Sequence, residues 1–361
     1  MIDLAGIKEM VAQTDEHTLT LYLNVDNTTP ENQAQTPAWR IYAKNKLFEF
    51  ETAAKNQTNA WNDIRSRVEA FFEQYSPSSK GLALFAWNGA LQTIELPFAV
   101  DNQASFGNPQ IAPLLWVLDE FEPYLIVLVD QEKARFFVAQ LGSVGFREGV
   151  EVDLEGYDFV ERTTAAVATQ GQSGSGAVHG GSGRDDHEAM LDEHRARMYR
   201  QVATGIENYV NQRQIRRFFL GGSEQSAHAV KNLLPSKLQD TVIATLPIPL
   251  RLNQTEILDA VQPKAIDYER KEEMRIVQEV IDFAKAGGRG ALGMKQVMDA
   301  LTMQRVELLI LPWSEVDGEG VPPDLPLRAF ASGGNVEMVH GDAAALLMRE
   351  GGVAARLYYS L

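Results

Sequence analysis

The chain has 361 residues, of which 45% are hydrophobic and 23% are charged, which is the composition of a folded globular protein long enough for two or three domains. Its net charge of −16 disfavours indiscriminate binding to nucleic acid through a basic surface, although a local basic patch is compatible with it. The absence of cysteine excludes disulfides and thiolate metal sites.

The N-terminal stretch "MIDLAGIKEMVAQTDEH" carries charges throughout and lacks the apolar core of a signal peptide. No apolar run in the sequence reaches the length of a membrane span. We therefore expect a soluble, cytoplasmic protein with no membrane partner. Nothing in the sequence indicates an oligomeric state.

The first third of the chain alternates helical and strand patterns. Trp39, Tyr42, Leu47 and Phe50 recur at helical spacing, and the Asn88-Gly89 pair supplies the positive φ angles of a two-residue hairpin turn. These patterns predict, in chain order, a helix at "IDLAGIKEMV", a strand at "TLTLYLNV", helices at "PAWRIYAKNKLFEFETAAK" and Trp61–Tyr75, and a hairpin from "GLALFAW" to "LQTIELPF".

The stretch "DNQASFGNPQIAP" that follows is rich in turn-forming residues and predicts a break in the regular structure. A domain boundary is expected shortly after it. We therefore assign residues 1–120 to a mixed α/β N-terminal domain.

The middle third begins with a run, Leu125–Val129, that is typical of a buried strand, and a tight turn leads from it to a partner strand. Further on, "RRFFLGG" predicts a strand ending in glycines, "SEQSAHAVKNLL" a helix capped by Ser223, and "TVIATLPI" another strand. This alternation favours a sheet flanked by helices, in a domain of residues 121–250.

Between those strands lies a glycine- and serine-rich segment, Thr169–Gly183, that offers almost no large apolar side chain to a core. We expect it to be poorly ordered in the free protein, because it can bury little apolar surface. A charged helix follows, and its arginines Arg197 and Arg200 point outward if its apolar stripe faces the sheet. That stripe consists of Leu191, Met198, Val202, Ile206 and Tyr209.

The last third predicts a compact α/β domain over residues 251–361. It opens with a long helical pattern from Gln254 to Ala286, which the tight loop "GGRGALG" interrupts. This loop lacks the lysine and the preceding strand of a phosphate-binding P-loop, and we expect no cofactor.

Three segments resemble the archaeal and eukaryotic class-1 peptide-chain release factors. "AKAGGRGALGMKQVMDALTMQRVELLILP" and the ending "GGVAARLYY" are similar to the third domain of that family, and "FFLGGSEQSAHAVKNLLPSKLQDTVIA" resembles its middle domain. The chain looks like one of the bacterial relatives of these factors, and the likeness covers roughly residues 120–361.

The resemblance implies an α/β protein of three domains: a mixed α/β N-terminal domain, a ribonuclease-H-like middle domain with a glycine-rich tip, and a ribosomal-protein-like C-terminal domain. It also implies binding in the ribosomal A site, where the family's Gly-Gly-Gln tip helps to place a water against the peptidyl-tRNA ester. Ester hydrolysis needs a positioned water and stabilisation of the developing oxyanion.

The counterpart of that tip in this chain is Gly171 and Gln172, followed by Ser173 as in the family. Gln170 replaces the family's first glycine, and it cannot adopt strained backbone angles as cheaply as glycine does. A flexible linker without chemistry is the alternative interpretation of the whole segment.

The helix after the tip supplies candidate RNA contacts, which would position the protein on phosphates without reading bases. The alternative is a solvated face with helix pairs such as Glu193 with Arg197. The histidines His179, His187 and His194 do not have the spacing of a metal site, and we expect no metal there but RNA-backbone contact or partial packing at the helix start. Asp130 is interpreted as a turn residue rather than a metal ligand. The candidate RNA-binding residues are Arg184, His194, Arg195, Arg197 and Arg200.

The Asn-Ile-Lys-Ser and Tyr-x-Cys motifs with which the family reads stop codons are absent from the sequence. Three hypotheses stay open. The leading one is a release or rescue factor that hydrolyses peptidyl-tRNA on the ribosome. The others are a non-catalytic A-site binder that acts in hibernation or protection, and a protein that has left the ribosome and kept only the fold.

Overall fold

A computed structural model of the chain has a mixed α/β architecture, as predicted, and its described residues form three β-sheets. Each sheet lies within one sequence segment: residues 18–107, 124–246 or 290–357. Among the described helices, none combines the length and apolar character needed to cross a lipid bilayer. The structure describes residues 4–53, 58–120, 122–140, 143–151, 183–213, 215, 217–313 and 324–360.

Contacts between residues divide the chain into two compact units, residues 123–265 and residues 1–122 together with 266–361. We call them the middle unit and the terminal unit. The division into three domains with joints near residues 120 and 250 stays a prediction.

The N-terminal part of the terminal unit is a four-stranded antiparallel sheet in the order β3-β2-β1-β4. Trp39, Leu47 and Trp61 from two helices pack on one face of it. In the predicted hairpin turn Gly89 has a φ of 88°, but the φ of Asn88 is not positive, so only one of the two expected positive angles is present. The elements are α1 (Leu4–Gln13), β1 (Thr18–Asn24), α2 (Ala38–Ala53), α3 (Thr58–Gln74), β2 (Gly81–Trp87), β3 (Ala90–Leu96), β4 (Gln103–Gly107) and α4 (Ala112–Glu120).

The prediction of a structureless break after this hairpin is wrong, because the break contains β4, which pairs with β1 along its whole length. A strand of five residues is too short to show a period, and Asn102 before it and Gly107 at its end are residues typical of turns.

The middle unit contains a five-stranded sheet in the order β7-β6-β5-β8-β9, antiparallel on the β7 side of β5 and parallel on its β8 side. Alternate residues of β5 enter two different cores, Leu125 and Val127 on one face and Ile126 and Leu128 on the other. The elements are β5 (Tyr124–Val129), β6 (Lys133–Gln140), β7 (Ser143–Glu151), α5 (Gly183–Arg213), β8 (Phe218–Gly222), α6 (Glu224–Leu233), α7 (Ser236–Gln239) and β9 (Val242–Leu246).

The C-terminal part of the terminal unit has a four-stranded sheet in the order β10-β13-β11-β12, so that β12 is an edge strand. The loop predicted at "GGRGALG" is partly wrong, since Gly290–Leu292 pairs with β13 as a short strand. The elements are α8 (Gln254–Lys285), whose residues 254–265 belong to the middle unit, β10 (Gly290–Leu292), α9 (Gly293–Thr302), β11 (Val306–Pro312), α10 (Leu325–Ala331), β12 (Asn335–Val339), α11 (Gly341–Arg349) and β13 (Ala354–Leu357).

The glycine at the end of β8 allows the first turn toward α6 to pass close to β5. Gly222 has a φ of 105°, and a Cβ there would lie 2.0 Å from the carbonyl oxygen of Val129. We expect Gly222→Ala to destabilise the protein by at least about 3 kcal/mol, since it combines a forbidden backbone angle with a backbone clash.

Denaturant unfolding would measure this cost against Gly89→Ala, where φ is 88° and a Cβ meets no atom within 4 Å. The control isolates the cost of the backbone angle, about 1–2 kcal/mol. Equal destabilisation by the two substitutions would show that the close approach to Val129 contributes nothing.

Candidate functional site

Helix α5 begins at Gly183, directly after the glycine-rich segment, and so fixes the point at which that segment enters the fold. The predicted catalytic residues Gly171 and Gln172 belong to residues 152–182 and lie outside the described residues. Their neighbours Gln170 and His179 also lie there, as does the predicted disorder of the segment.

The apolar side of α5 packs on the sheet of the middle unit. Met198, Val202 and Ile206 are fully or almost fully buried in its core, and the ring of Tyr209 stacks on that of Phe136 with centroids 5.8 Å apart. The predicted stripe is therefore confirmed at these positions, and it determines which residues of α5 face away from the sheet.

A chain of hydroxyl groups joins α5 to the start of α6. The Tyr199 hydroxyl lies 2.8 Å from Ser226 Oγ in the interior, and Ser223 Oγ donates to Ser226 Oγ over 2.6 Å. Ser223 also caps α6 by accepting a hydrogen bond from the backbone N–H of Ser226, as predicted. Since a buried hydroxyl without a partner is costly, these bonds favour one rotation of α5 on the sheet.

Arg197 and Arg200 lie on the outer face of α5, as the stripe predicts. The Arg197 side chain is 55% exposed, and its guanidinium lies 3.7 Å from the Glu193 carboxylate. A surface ion pair of this kind contributes about 0–1 kcal/mol, so Glu193 can be displaced by a phosphate at little cost. Arg200 is also exposed.

Two other candidate RNA-contact residues face the protein more than the solvent. His194 is only 6% exposed, and Arg195 Nη1 donates to Asp192 at 2.7 Å. His194 precedes Met198 by one helical turn, and this spacing was already a signal for the buried face. The fifth candidate, Arg184, belongs to α5, but its side chain lies outside the described part of the structure.

No group of three or more histidine, aspartate or glutamate side chains in the described part of the chain is arranged to hold a metal ion. Asp130 Oδ1 accepts hydrogen bonds from the backbone N–H groups of Glu132 and Lys133, each at 2.8 Å. Its interpretation as a turn residue is therefore confirmed.

No sequence pattern indicated a buried charged cluster in the terminal unit, formed by Arg270 and Glu273 of α8 and His340 after β12. The fully buried Glu273 carboxylate accepts from the His340 backbone N–H at 2.8 Å, contacts His340 Nδ1 at 2.9 Å and pairs with Arg270. Burial alone would raise the pKa of Glu273, but the His340 hydrogen bonds and the Arg270 charge together lower it.

In the middle unit, the strands β5, β6 and β7 are followed along the chain by helix α5, strand β8, helices α6 and α7, and strand β9. Residues 109–265 match the model of the bacterial archaeo-eukaryotic release factor family 10. The match covers less than half of the chain and ends where the middle unit ends. Residues 109–265 are thus similar to the bacterial relatives of the class-1 release factors.

Several solved structures are similar at low identity. S. cerevisiae Dom34, a translation termination-like factor involved in RNA quality control, is 14% identical with a TM-score of 0.46, over 76% of this chain and 75% of that one. Archaeal Pelota from a model of its ribosome-bound form is 17% identical with a TM-score of 0.46, over 80% and 75%. The archaeal termination factor aRF1 is 15% identical with a TM-score of 0.28, over 97% and 98%. No curated protein matches the chain.

Proposed function

We propose that this protein acts on the ribosome as a release or rescue factor and hydrolyses peptidyl-tRNA in the A site. The observation that carries the proposal is the family match over residues 109–265, which includes the whole glycine-rich segment and helix α5. The proposal makes the protein a cytoplasmic one whose partners are the ribosome and peptidyl-tRNA.

In this proposal Gly171 and Gln172 form the catalytic tip. Gly171 lets the backbone approach the reacting ester closely, because no Cβ stands between the N–H group and the substrate. Gln172 helps to position the water that attacks the ester carbonyl. The ribosome holds the peptidyl-tRNA ester in place, so the protein needs few reactive groups of its own.

Helix α5 supports the tip and holds it against ribosomal RNA. Its apolar face is fixed in the middle unit, so the exposed Arg197 and Arg200 keep a defined distance from Gly183, where α5 begins. Arginines in this position suit phosphate contacts, which position a protein without reading sequence. We omit His194 from this contact set because it is buried, and Arg195 because its side chain is only 29% exposed, against 55% for Arg197.

The same proposal assigns the three domain types. The middle domain would be the ribonuclease-H-like one, and its mixed sheet of three antiparallel strands followed by two parallel ones supports this. The sheet of residues 290–357 would belong to the ribosomal-protein-like domain, and that of residues 18–107 to the N-terminal α/β domain.

A second candidate function is a non-catalytic A-site binder that protects idle ribosomes. Gln170, which stands in place of the family's first glycine, favours it, since strained backbone angles are more costly for a glutamine. The missing stop-codon motifs are compatible with both candidates. A measurement of peptide release distinguishes the two candidates, since only the first requires it.

Co-sedimentation with ribosomes at low and high salt tests what the two candidates share. Both require that the chain pellets with ribosomes at low salt and is released as salt rises, because phosphate contacts displace counterions. Failure to pellet at any salt concentration would rule out both and leave a protein that has only kept the fold.

The double substitution Arg197→Ala and Arg200→Ala is expected to weaken ribosome binding and to reduce the slope of log affinity against log salt by roughly one to two, in proportion to the number of phosphates that the protein no longer neutralises. The peptide-release rate of the bound protein should stay close to that of the wild type. Binding titrations at several salt concentrations provide the measurement.

Arg67→Ala is the matched control, since Arg67 is also an exposed arginine in an i,i+4 ion pair, with Asp63, but lies on α3. It should leave the salt dependence unchanged. An equal loss of affinity in both variants would mean that net charge, rather than the face of α5, governs binding.

A further inference from the structure

Within the terminal unit, two indole rings from opposite ends of the sequence lie face to face. Trp116 of α4 and Trp313, which follows β11, have ring centroids 5.0 Å apart and planes inclined by 5°. The Phe98 ring contacts the ring of Trp116. The ring centroids of His340 and Trp313 are 6.5 Å apart. The stack is therefore the centre of an aromatic cluster drawn from both the N-terminal and the C-terminal segments.

A second contact joins the same two segments through Lys8 of α1. Its ammonium donates to the Gly334 carbonyl oxygen at 3.2 Å and to Asn335 Oδ1 at 2.9 Å, and it lies 5.0 Å from the centre of the Phe330 ring. These groups surround the start of β12. One lysine thus binds a carbonyl, an amide and an aromatic face that all belong to the C-terminal segment.

Both contacts converge on β12, the edge strand of the C-terminal sheet, and α4 packs against that strand. An uncovered edge strand offers unpaired backbone groups to other chains, and folded proteins protect such edges. Contacts between residues so far apart in sequence must also offset the entropy of closing a long loop. Several converging contacts are needed for that.

From these contacts we infer that the N-terminal and C-terminal segments form one cooperative folding unit, closed by a clamp that consists of the Trp116–Trp313 stack and the Lys8 contacts. The clamp closes the β12 edge against pairing with other strands. This inference is independent of the proposed ribosomal function, since it concerns contacts within the terminal unit alone.

Hydrogen exchange on the full-length protein tests it, with peptides from α1 and from β12 followed together. Trp116→Ala should raise exchange in both peptides, although β12 lies far from the substituted residue in sequence. In a cycle of Trp116→Ala, Trp313→Ala and the double variant, the two indoles should be coupled by roughly two- to tenfold in the opening equilibrium. Additive effects, or exchange that rises in α1 alone, would overturn the inference.

Circular dichroism supplies a second readout, which reports on the tryptophan pair itself. Stacked indoles give an exciton-coupled band, and Trp116→Phe and Trp313→Phe should each abolish the same band. Lys8→Ala should raise exchange in the β12 peptide, whereas Lys44→Ala, at an exposed lysine on α2, should not. A band that survives either tryptophan substitution, or equal effects of the two lysine variants, would also overturn the clamp.

Discussion

Replacing Gly171 with alanine is expected to slow peptide release by on the order of a hundredfold while ribosome binding changes little. The added methyl group keeps the backbone N–H from approaching the ester and disfavours the angles that the tip needs. Because the missing interaction is made mainly in the transition state, the rate falls and the affinity does not. Single-turnover release of labelled peptide, with binding measured in parallel, gives both quantities.

Gly180→Ala is the control for this substitution, since Gly180 lies in the same glycine-rich segment but outside the Gly171–Gln172 pair. It should release peptide at close to the wild-type rate. Gln172→Ala should behave like Gly171→Ala, more mildly. If Gly171→Ala and Gly180→Ala slow release equally, the segment contributes flexibility rather than a catalytic tip.

After Gly222→Ala, replacing the buried Glu273 is expected to have the largest effect on the stability of the protein. Glu273→Gln keeps the shape of the side chain but removes the carboxylate that pairs with Arg270. It also weakens the hydrogen bonds to the His340 backbone N–H and imidazole. Because the Arg270 side chain is 31% exposed and stays hydrated, the cost is about 1–3 kcal/mol, that of a buried hydrogen-bonding group whose partners are lost. Denaturant unfolding at neutral pH measures the loss of stability.

Glu272→Gln, one position earlier on α8, removes a carboxylate whose bridge to Arg275 is partly exposed, and it should cost less than about 1 kcal/mol. This pair of variants separates a buried carboxylate from a surface one on the same helix. Similar costs in the two variants would mean that the buried cluster is not an important source of stability.

The Glu273 carboxylate also predicts how stability depends on pH. Because folding lowers its pKa, its contribution is fully present above the ordinary glutamate pKa of about 4.3 and is lost as the pH falls through the lowered value. The free energy of unfolding of the wild type should therefore fall more steeply below about pH 4 than that of Glu273→Gln. Parallel slopes for the two proteins in this range would contradict the shift.

Local patterns in the sequence predicted those elements whose cause is local. The apolar spacing of α5 located its buried face, the Asn-Gly pair located the first hairpin, and Ser223 marked the start of α6. Each of these signals lies within a few residues of the structure that it produces. The same holds for β5, whose uninterrupted apolar run predicted burial on both faces.

Features that depend on distant partners could not be predicted in this way. Strand β4 exists because β1 offers it a partner, and Glu273 is buried because His340, far along the chain, supplies its hydrogen bonds. Nothing near Trp116 in the sequence points to Trp313. The burial of His194, by contrast, follows from its spacing to Met198, because residues one helical turn apart share a face.

The most direct test of the proposed function is single-turnover release of labelled peptide from stalled ribosomes by the wild-type protein, with ribosome binding followed in the same reactions. We expect the protein to bind and to release peptide well above the spontaneous rate. Binding without release would contradict hydrolysis and leave the non-catalytic A-site binder. The absence of binding would contradict both, and the glycine-rich segment would then be a linker in a reused fold.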